Sequence, residues 1–334
     1  MHDHMTQVNQ KINPAFYLFH LPAQRSSLVL IISLLLFLLL ISHKTQASYL
    51  PLLLQSEAAY QQQTSHPDVV IIDTRSPEAY SAGHIKGAIN LPITQLHETQ
   101  NHIKERIIGP LKFQQVVEQA GIRKQDRLIF YSGTDPLVAT RAFWTFEFYG
   151  HPSNSILDGG YSAWVFQGLP VDSNQVIQPP SQYTIELNTS RLASKFNTLV
   201  ATQTNDTLLI DARPKIEFEG GKTRGKRLGH IPTAVNLEFS KVFNTRVMQT
   251  GEATYSTFIK TDEIKKLLSR LPNKKNIILY CNTGDEASAL YFAFRLINKD
   301  AALYEGSWVE WSADKYLPIA SSLTSPLLKE SEAK

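Results

Sequence analysis

The sequence predicts an α/β protein made of two similar units, each a parallel sheet with helices on both faces. Three observations lead there. The chain repeats itself in order: VVIIDTR at 69–75 returns as LLIDAR at 208–213, and GHIKGAINL at 83–91 returns as GHIPTAVNL at 229–237. LIFYS at 128–132 likewise returns as ILYC at 278–281, and DGGYSAW at 158–164 resembles EGSWVEW at 305–311. A repeat of that length means two copies of one unit. Within each copy, short branched apolar runs alternate with amphipathic segments, the pattern of a parallel sheet with crossover helices. Polar residues cluster just after the apolar runs, at the carboxyl edge where such sheets bind ligands.

The elements follow in chain order. Residues 28–41 (LVLIISLLLFLLLI) are apolar except for Ser33, with Lys11 and Arg25 upstream. The run is short for a membrane span, which needs about 20 residues, but suits a signal-peptide core. Thr45-Gln46-Ala47 offers small residues for cleavage after Ala47. The long polar lead before Ser27 leaves an uncleaved anchor open, so residues 1–47 are expected to be a signal peptide or an amino-terminal anchor. Either would place the rest outside the cytoplasm, in the periplasm or cell envelope, with an inner-membrane anchor through 28–41 as one form. The first copy is expected at 50–172. The polar stretch 173–190, with Pro179-Pro180, reads as a linker. The second copy is expected at 191–324. In it, DEIKKLLSRL at 262–271 has an acidic start and helical spacing of Ile264, Leu267, Leu268 and Leu271.

The second copy holds the chain's one cysteine. Ile277 to Tyr280 read as a buried strand, Gly284 permits a sharp turn, and a mostly buried helix is expected from Ala287 onward. Cys281 therefore stands where a strand gives way to a helix amino terminus. Unpaired amides and the helix dipole there favour a thiolate over a thiol. The competing reading is a small apolar core residue. With one cysteine, an intrachain disulfide and a C-x-x-C site are both excluded. The net charge of +3, without a basic stripe, argues against nucleic acid. The ten histidines form no metal-ligand spacing, so neither metal nor cofactor is expected.

These segments together resemble the rhodanese family of sulfurtransferases in its tandem-domain form, over about residues 50–322. The resemblance implies two rhodanese-like domains, the first non-catalytic because Ser132 stands where the second has Cys281. It implies that Cys281 takes a sulfane sulfur from thiosulfate or 3-mercaptopyruvate, holds it as a persulfide, and yields it to a thiol or cyanide. The amides of Asn282, Thr283, Gly284, Asp285, Glu286 and Ala287 would cradle that persulfide. Small-molecule donor and acceptor are the partners implied, and a monomer is expected. A related phosphatase chemistry needs an arginine where Ala287 stands, and is excluded.

The sequence departs from the family in two places. Asp285 and Glu286 put two carboxylates in the loop, which oppose thiolate formation. Capping of the helix is the favoured role for Asp285. Replacing Glu286 by threonine is expected to raise activity with anionic donors. Glu217 occupies the place where family members often carry a substrate-binding arginine. The longer segment after Asp211 carries Lys222, Arg224, Lys226 and Arg227, of which Arg224 and Arg227 are the candidates to bind an anionic donor. Asp211 and Arg213 are assigned to loop support, and Arg75, His84 and His230 to the fold, since they recur in both copies. Those departures motivate the alternative, a non-catalytic rhodanese-like binding or sensing protein of the cell envelope.

Overall fold

The computed structural model describes residues 50–247 and 254–321, so the apolar run at 28–41 and the cleavage site after Ala47 lie outside the described residues. The first sheet has strands β1 (Leu53–Leu54), β2 (Val69–Asp73), β3 (Ile89–Asn90), β4 (Arg127–Tyr131) and β5 (Asn154–Leu157). The second has β6 (Leu192–Ala193), β7 (Thr207–Asp211), β8 (Val235–Asn236), β9 (Asn276–Tyr280) and β10 (Ala302–Tyr304). All their pairings are parallel, in the orders β1-β5-β4-β2-β3 and β6-β10-β9-β7-β8. The two copies thus share one topology, as the repeat requires. Two antiparallel hairpins, His97–Gln100 with Ile103–Ile107 and Phe243–Val247 with Thr254–Phe258, are added at equivalent points.

The central strands are buried because their residues are apolar on both faces: Leu128, Ile129, Phe130 and Tyr131 in β4, and Leu279 and Tyr280 in β9, have no exposed surface. Register places Asp73 beside Tyr131 and Asp211 beside Tyr280 at the carboxyl ends. The polar turn residues of each copy are therefore brought together at one edge.

Two helices follow the central strands, α1 (Leu137–Phe148) and α2 (Asp285–Leu296). They carry apolar residues all round and pack on each other, so one apolar cluster runs through both copies. Phe143 meets Phe292 edge-to-face at 4.9 Å, and Thr140 shares a 2.8 Å hydroxyl hydrogen bond with Ser288. Tyr291 and Arg295 both reach Glu147. The helix expected from Ala287 in fact begins at Asp285, and the 262–271 segment is helical over Thr261–Leu268. Glu263 there closes onto the Lys260 amide at 3.0 Å. The 173–190 stretch runs without long elements along the first copy. Ser181 donates to Glu118 O, and Tyr183 is buried against His151.

Candidate functional site

Cys281 follows β9 directly, and its position is fixed from three sides. Its amide donates to Ser307 Oγ at 3.2 Å. Its carbonyl accepts from Trp308 N–H at 2.9 Å, and the Asn282 carbonyl accepts from Val309 N–H at 3.1 Å. Trp308 and Val309 open α3 (Ser307–Ala313), so the amino end of that helix pins the cysteine loop. Tyr280, one residue earlier, accepts from Ile231 N–H through its hydroxyl at 3.1 Å.

The loop then turns at Gly284, whose φ of +106° is open to glycine and costly for other residues. That turn aims the Gly284 N–H at the sulfur, 3.0 Å away, and the Ala287 amide also favours the charged form of the sulfur. Amide donors therefore converge on Sγ at the start of α2. The thiol itself has no exposed surface, and burial pushes it well above its ordinary pKa, with Glu286 adding to the rise. The thiolate expected from the sequence is thus replaced by a neutral thiol. The helix dipole and two amides do not outweigh desolvation with a carboxylate alongside.

Carboxylates account for most of the local chemistry. Glu286 is 7% exposed, its charge helps to raise the thiol pKa, and it accepts from Asn282 N–H over a long 3.4 Å. Glu217, 4% exposed, accepts from Asn282 Nδ2 at 2.9 Å and so braces the loop where an anion-binding arginine was absent. Asp285 does not cap the helix: Gly284 holds the cap position without a side-chain bond, and Asp285 Oδ1 faces Arg141 Nε at 3.5 Å. Burial raises the Asp285 carboxyl to about 6, against the pull of Arg141 and with Glu105, Glu286 and Asp135 nearby. Thr283 is half-buried at the outer side of the loop.

The two candidate arginines separate. Arg224 is largely exposed and its guanidinium lies 3.9 Å from Glu286, above the loop. The Arg227 guanidinium is engaged within the fold. It donates to the carbonyls of Ser312, Leu317, Trp311 and Asp314 at 2.6–3.2 Å, because the extended segment folds back over the end of α3. Arg213 is fully buried, pairs with Asp211 at 2.5 Å, donates to Gly229 O and lies over Trp308. Arg75 repeats this with Asp73, Gly83 O and Tyr161 in the copy that lacks the thiol. The shared arrangement is a turn clamp. His84 and His230 stack on Tyr80 and Phe218 and bond main-chain carbonyls through Nδ1. Ser132 donates its hydroxyl into its own turn, to Asp135 O.

One contributor escaped the sequence reading. Arg141, on α1 of the first copy, has no exposed surface and reaches the second copy's loop. Its Nη2 donates to Glu305 Oε1 at 2.9 Å and to Glu105 O at 3.2 Å, and Arg106 also pairs with Glu305. A charged residue inside the apolar run of 137–148 was the available signal. Among the described residues, no group of three or more His, Cys, Asp or Glu is arranged to hold a metal.

Comparison with known proteins agrees with the fold. Residues 56–167 and 193–314 each match the rhodanese-like domain family. A Mycobacterium tuberculosis protein named as a candidate thiosulfate sulfurtransferase is 30% identical over 266 residues, covering 76% of this chain and 92% of that protein. The 3-mercaptopyruvate sulfurtransferase of Escherichia coli is 28% identical over 269 residues, with 76% and 92% covered. The solved structure of SseA from Escherichia coli, a 3-mercaptopyruvate sulfurtransferase, superposes with a TM-score of 0.68 at 24% identity, covering 78% of this chain and 99% of that one. The anaerobic ergothioneine biosynthesis enzyme from Chlorobium limicola gives 0.69 at 20% identity, with 82% and 71% covered. At those identities, the two structures speak to fold.

Proposed function

The chain belongs to the rhodanese-like family, and on that basis we propose that it is a sulfurtransferase working through a Cys281 persulfide. The donor is thiosulfate or 3-mercaptopyruvate, and the acceptor is a thiol or cyanide. The observation that carries this reading is the Gly284 N–H donated at 3.0 Å to a lone sulfur at a helix amino terminus, where the Ala287 amide also favours negative charge. Such donors stabilise negative charge on sulfur or on a second sulfur attached to it. A covalent intermediate divides the transfer into two displacements at sulfur. Cys281 has no exposed surface in the described state, so the cover over Sγ has to open for a donor to reach it. Arg224 is the exposed cation positioned to meet the donor's anionic group as it arrives. With Glu217, Asp285 and Glu286 around it, a singly charged donor such as 3-mercaptopyruvate is favoured over doubly charged thiosulfate.

A donor panel on the soluble part from Ser48 tests this. Wild type should produce thiocyanate from cyanide with at least one donor, faster with 3-mercaptopyruvate, while Cys281→Ser should produce none. Absence of turnover with every donor would favour the second reading, a binding or sensing protein of the cell envelope. The sealed, neutral thiol is the observation on that side. We further propose export through residues 1–47, with action as a monomer in the periplasm or envelope. Fractionation with alkaline extraction distinguishes a cleaved signal from an anchor at 28–41, and chromatographic mass checks the monomer.

A further inference from the structure

The closed loop raises a problem that the sulfur-transfer reading leaves open: a neutral, buried thiol is a poor nucleophile until something takes its proton. We propose that Glu286 is the catalytic base, accepting the Cys281 proton as the sulfur attacks and passing it to the donor's leaving group. The inference rests on the sulfur-transfer function and assigns the residue that makes it work in this chain.

The geometry supports it in three ways. Glu286 Oε2 accepts from the N–H of Asn282, the residue after Cys281, so its carboxylate sits against the cysteine loop, and its charge acts directly on the thiol. Its carboxylate is 7% exposed yet poorly compensated. The Asn282 N–H contact is long at 3.4 Å, and the 3.9 Å approach of exposed Arg224 is the sort of solvated ion pair that adds little. A buried carboxylate held so weakly is costly to keep for structure alone, and such costs cluster at functional sites. Glu286 also stands on the first turn of the helix whose cap residue, Gly284, donates its N–H to Sγ, so one helix start serves both base and nucleophile.

The step balances as follows. The Cys281 S–H bond breaks, its proton goes to Glu286, and Sγ forms a bond to the donor's sulfane sulfur. With thiosulfate, the old S–S bond breaks with its electron pair on sulfite, which takes the proton from Glu286 and leaves as bisulfite. With 3-mercaptopyruvate, the C–S bond breaks with its pair on carbon, and the proton from Glu286 completes the methyl group of pyruvate. No external oxidant or reductant is needed. Once protonated, Glu286 no longer engages the Arg224 charge, which becomes free for the donor's anionic group. On this proposal, losing the carboxylate slows sulfur uptake, the opposite of the gain expected for Glu286→Thr.

The test separates the two half-reactions. Intact-protein mass after rapid quenching gives the rate of sulfur uptake, and thiocyanate formation from preloaded protein gives the rate of discharge. Glu286→Gln should slow uptake by about 10²-fold, within the usual range for general base catalysis, with a much smaller effect on discharge. Glu286→Asp should recover part of the uptake rate. Uptake by the glutamine variant at or above the wild-type rate, or equal slowing of both halves, overturns the proposal and leaves the sulfurtransferase reading standing. Wild-type protein that never loads sulfur would end both. If the variants fold poorly, wild type alone decides: uptake should show a normal solvent deuterium isotope effect that discharge lacks, and its absence from uptake refutes the base.

Discussion

Gly284→Ala is the most severe small change the structure predicts in this loop. The backbone there sits at φ +106°, and an added Cβ would lie 2.4 Å from Arg141 Nη1. Forcing an L-residue into left-handed backbone costs about 1–2 kcal/mol. Arg141 is unable to step aside cheaply, since it has no exposed surface and is held by Glu305 Oε1, Glu105 O and His97 Nε2. Overpacking of that kind costs about 1–3 kcal/mol more. The sum, about 2–5 kcal/mol, corresponds to a fall in unfolding midpoint of roughly 5–15 °C for a unit of this size. The same shift would swing the Gly284 N–H off Sγ, so sulfur uptake should fall with stability. Thermal denaturation and donor-dependent thiocyanate release measure the two effects. A variant with an unchanged midpoint and full activity would refute the loop geometry and the cross-copy role of Arg141 together.

Other predictions follow from individual contacts. Asp285→Asn should stabilise the protein at pH 7 and have no effect near pH 3. The carboxyl titrates at about 6 when folded, above its ordinary 3.8, so the stability it contributes is complete below 3.8 and is lost as pH rises through 6. With a third of the side chain exposed, the gain is discounted to about 1 kcal/mol, measurable by urea denaturation across pH. Arg227→Met should cost about 2 kcal/mol, since it removes the guanidinium that bonds the Ser312 and Leu317 carbonyls and a second donor from those of Trp311 and Asp314, while KM for the donor changes little. Arg224→Met should do the reverse, raising KM for anionic donors with stability unaltered, in steady-state assays beside a melting curve. Ser132→Cys in a Cys281→Ser background should not restore sulfur uptake, since that side chain is turned into its own loop toward Asp135 O.

The parts of this arrangement legible in sequence are the local ones. The strand into Cys281, the turn at Gly284 and the helix beyond are read from a dozen consecutive residues, and the Asp-x-Arg clamps from their recurrence in both copies. What sequence reading missed depends on distance along the chain. Arg227 looked like one cation among four in a polar loop, and only the folding back of that loop onto residues 311–317 shows its guanidinium already satisfied. Arg141 acts on a loop more than a hundred residues away. The protonation of Cys281 was misjudged for a related reason: amides and a dipole are visible in a local pattern, but the complete burial of the sulfur depends on what the rest of the fold lays over it.

Peptide mass analysis after incubation with donor tests the central claim most directly. The peptide holding Cys281 should gain one sulfur, about 32 Da, and lose it again on addition of cyanide. An unmodified Cys281 peptide in protein that is turning over, or a Cys281→Ser variant that still transfers sulfur, would contradict the account.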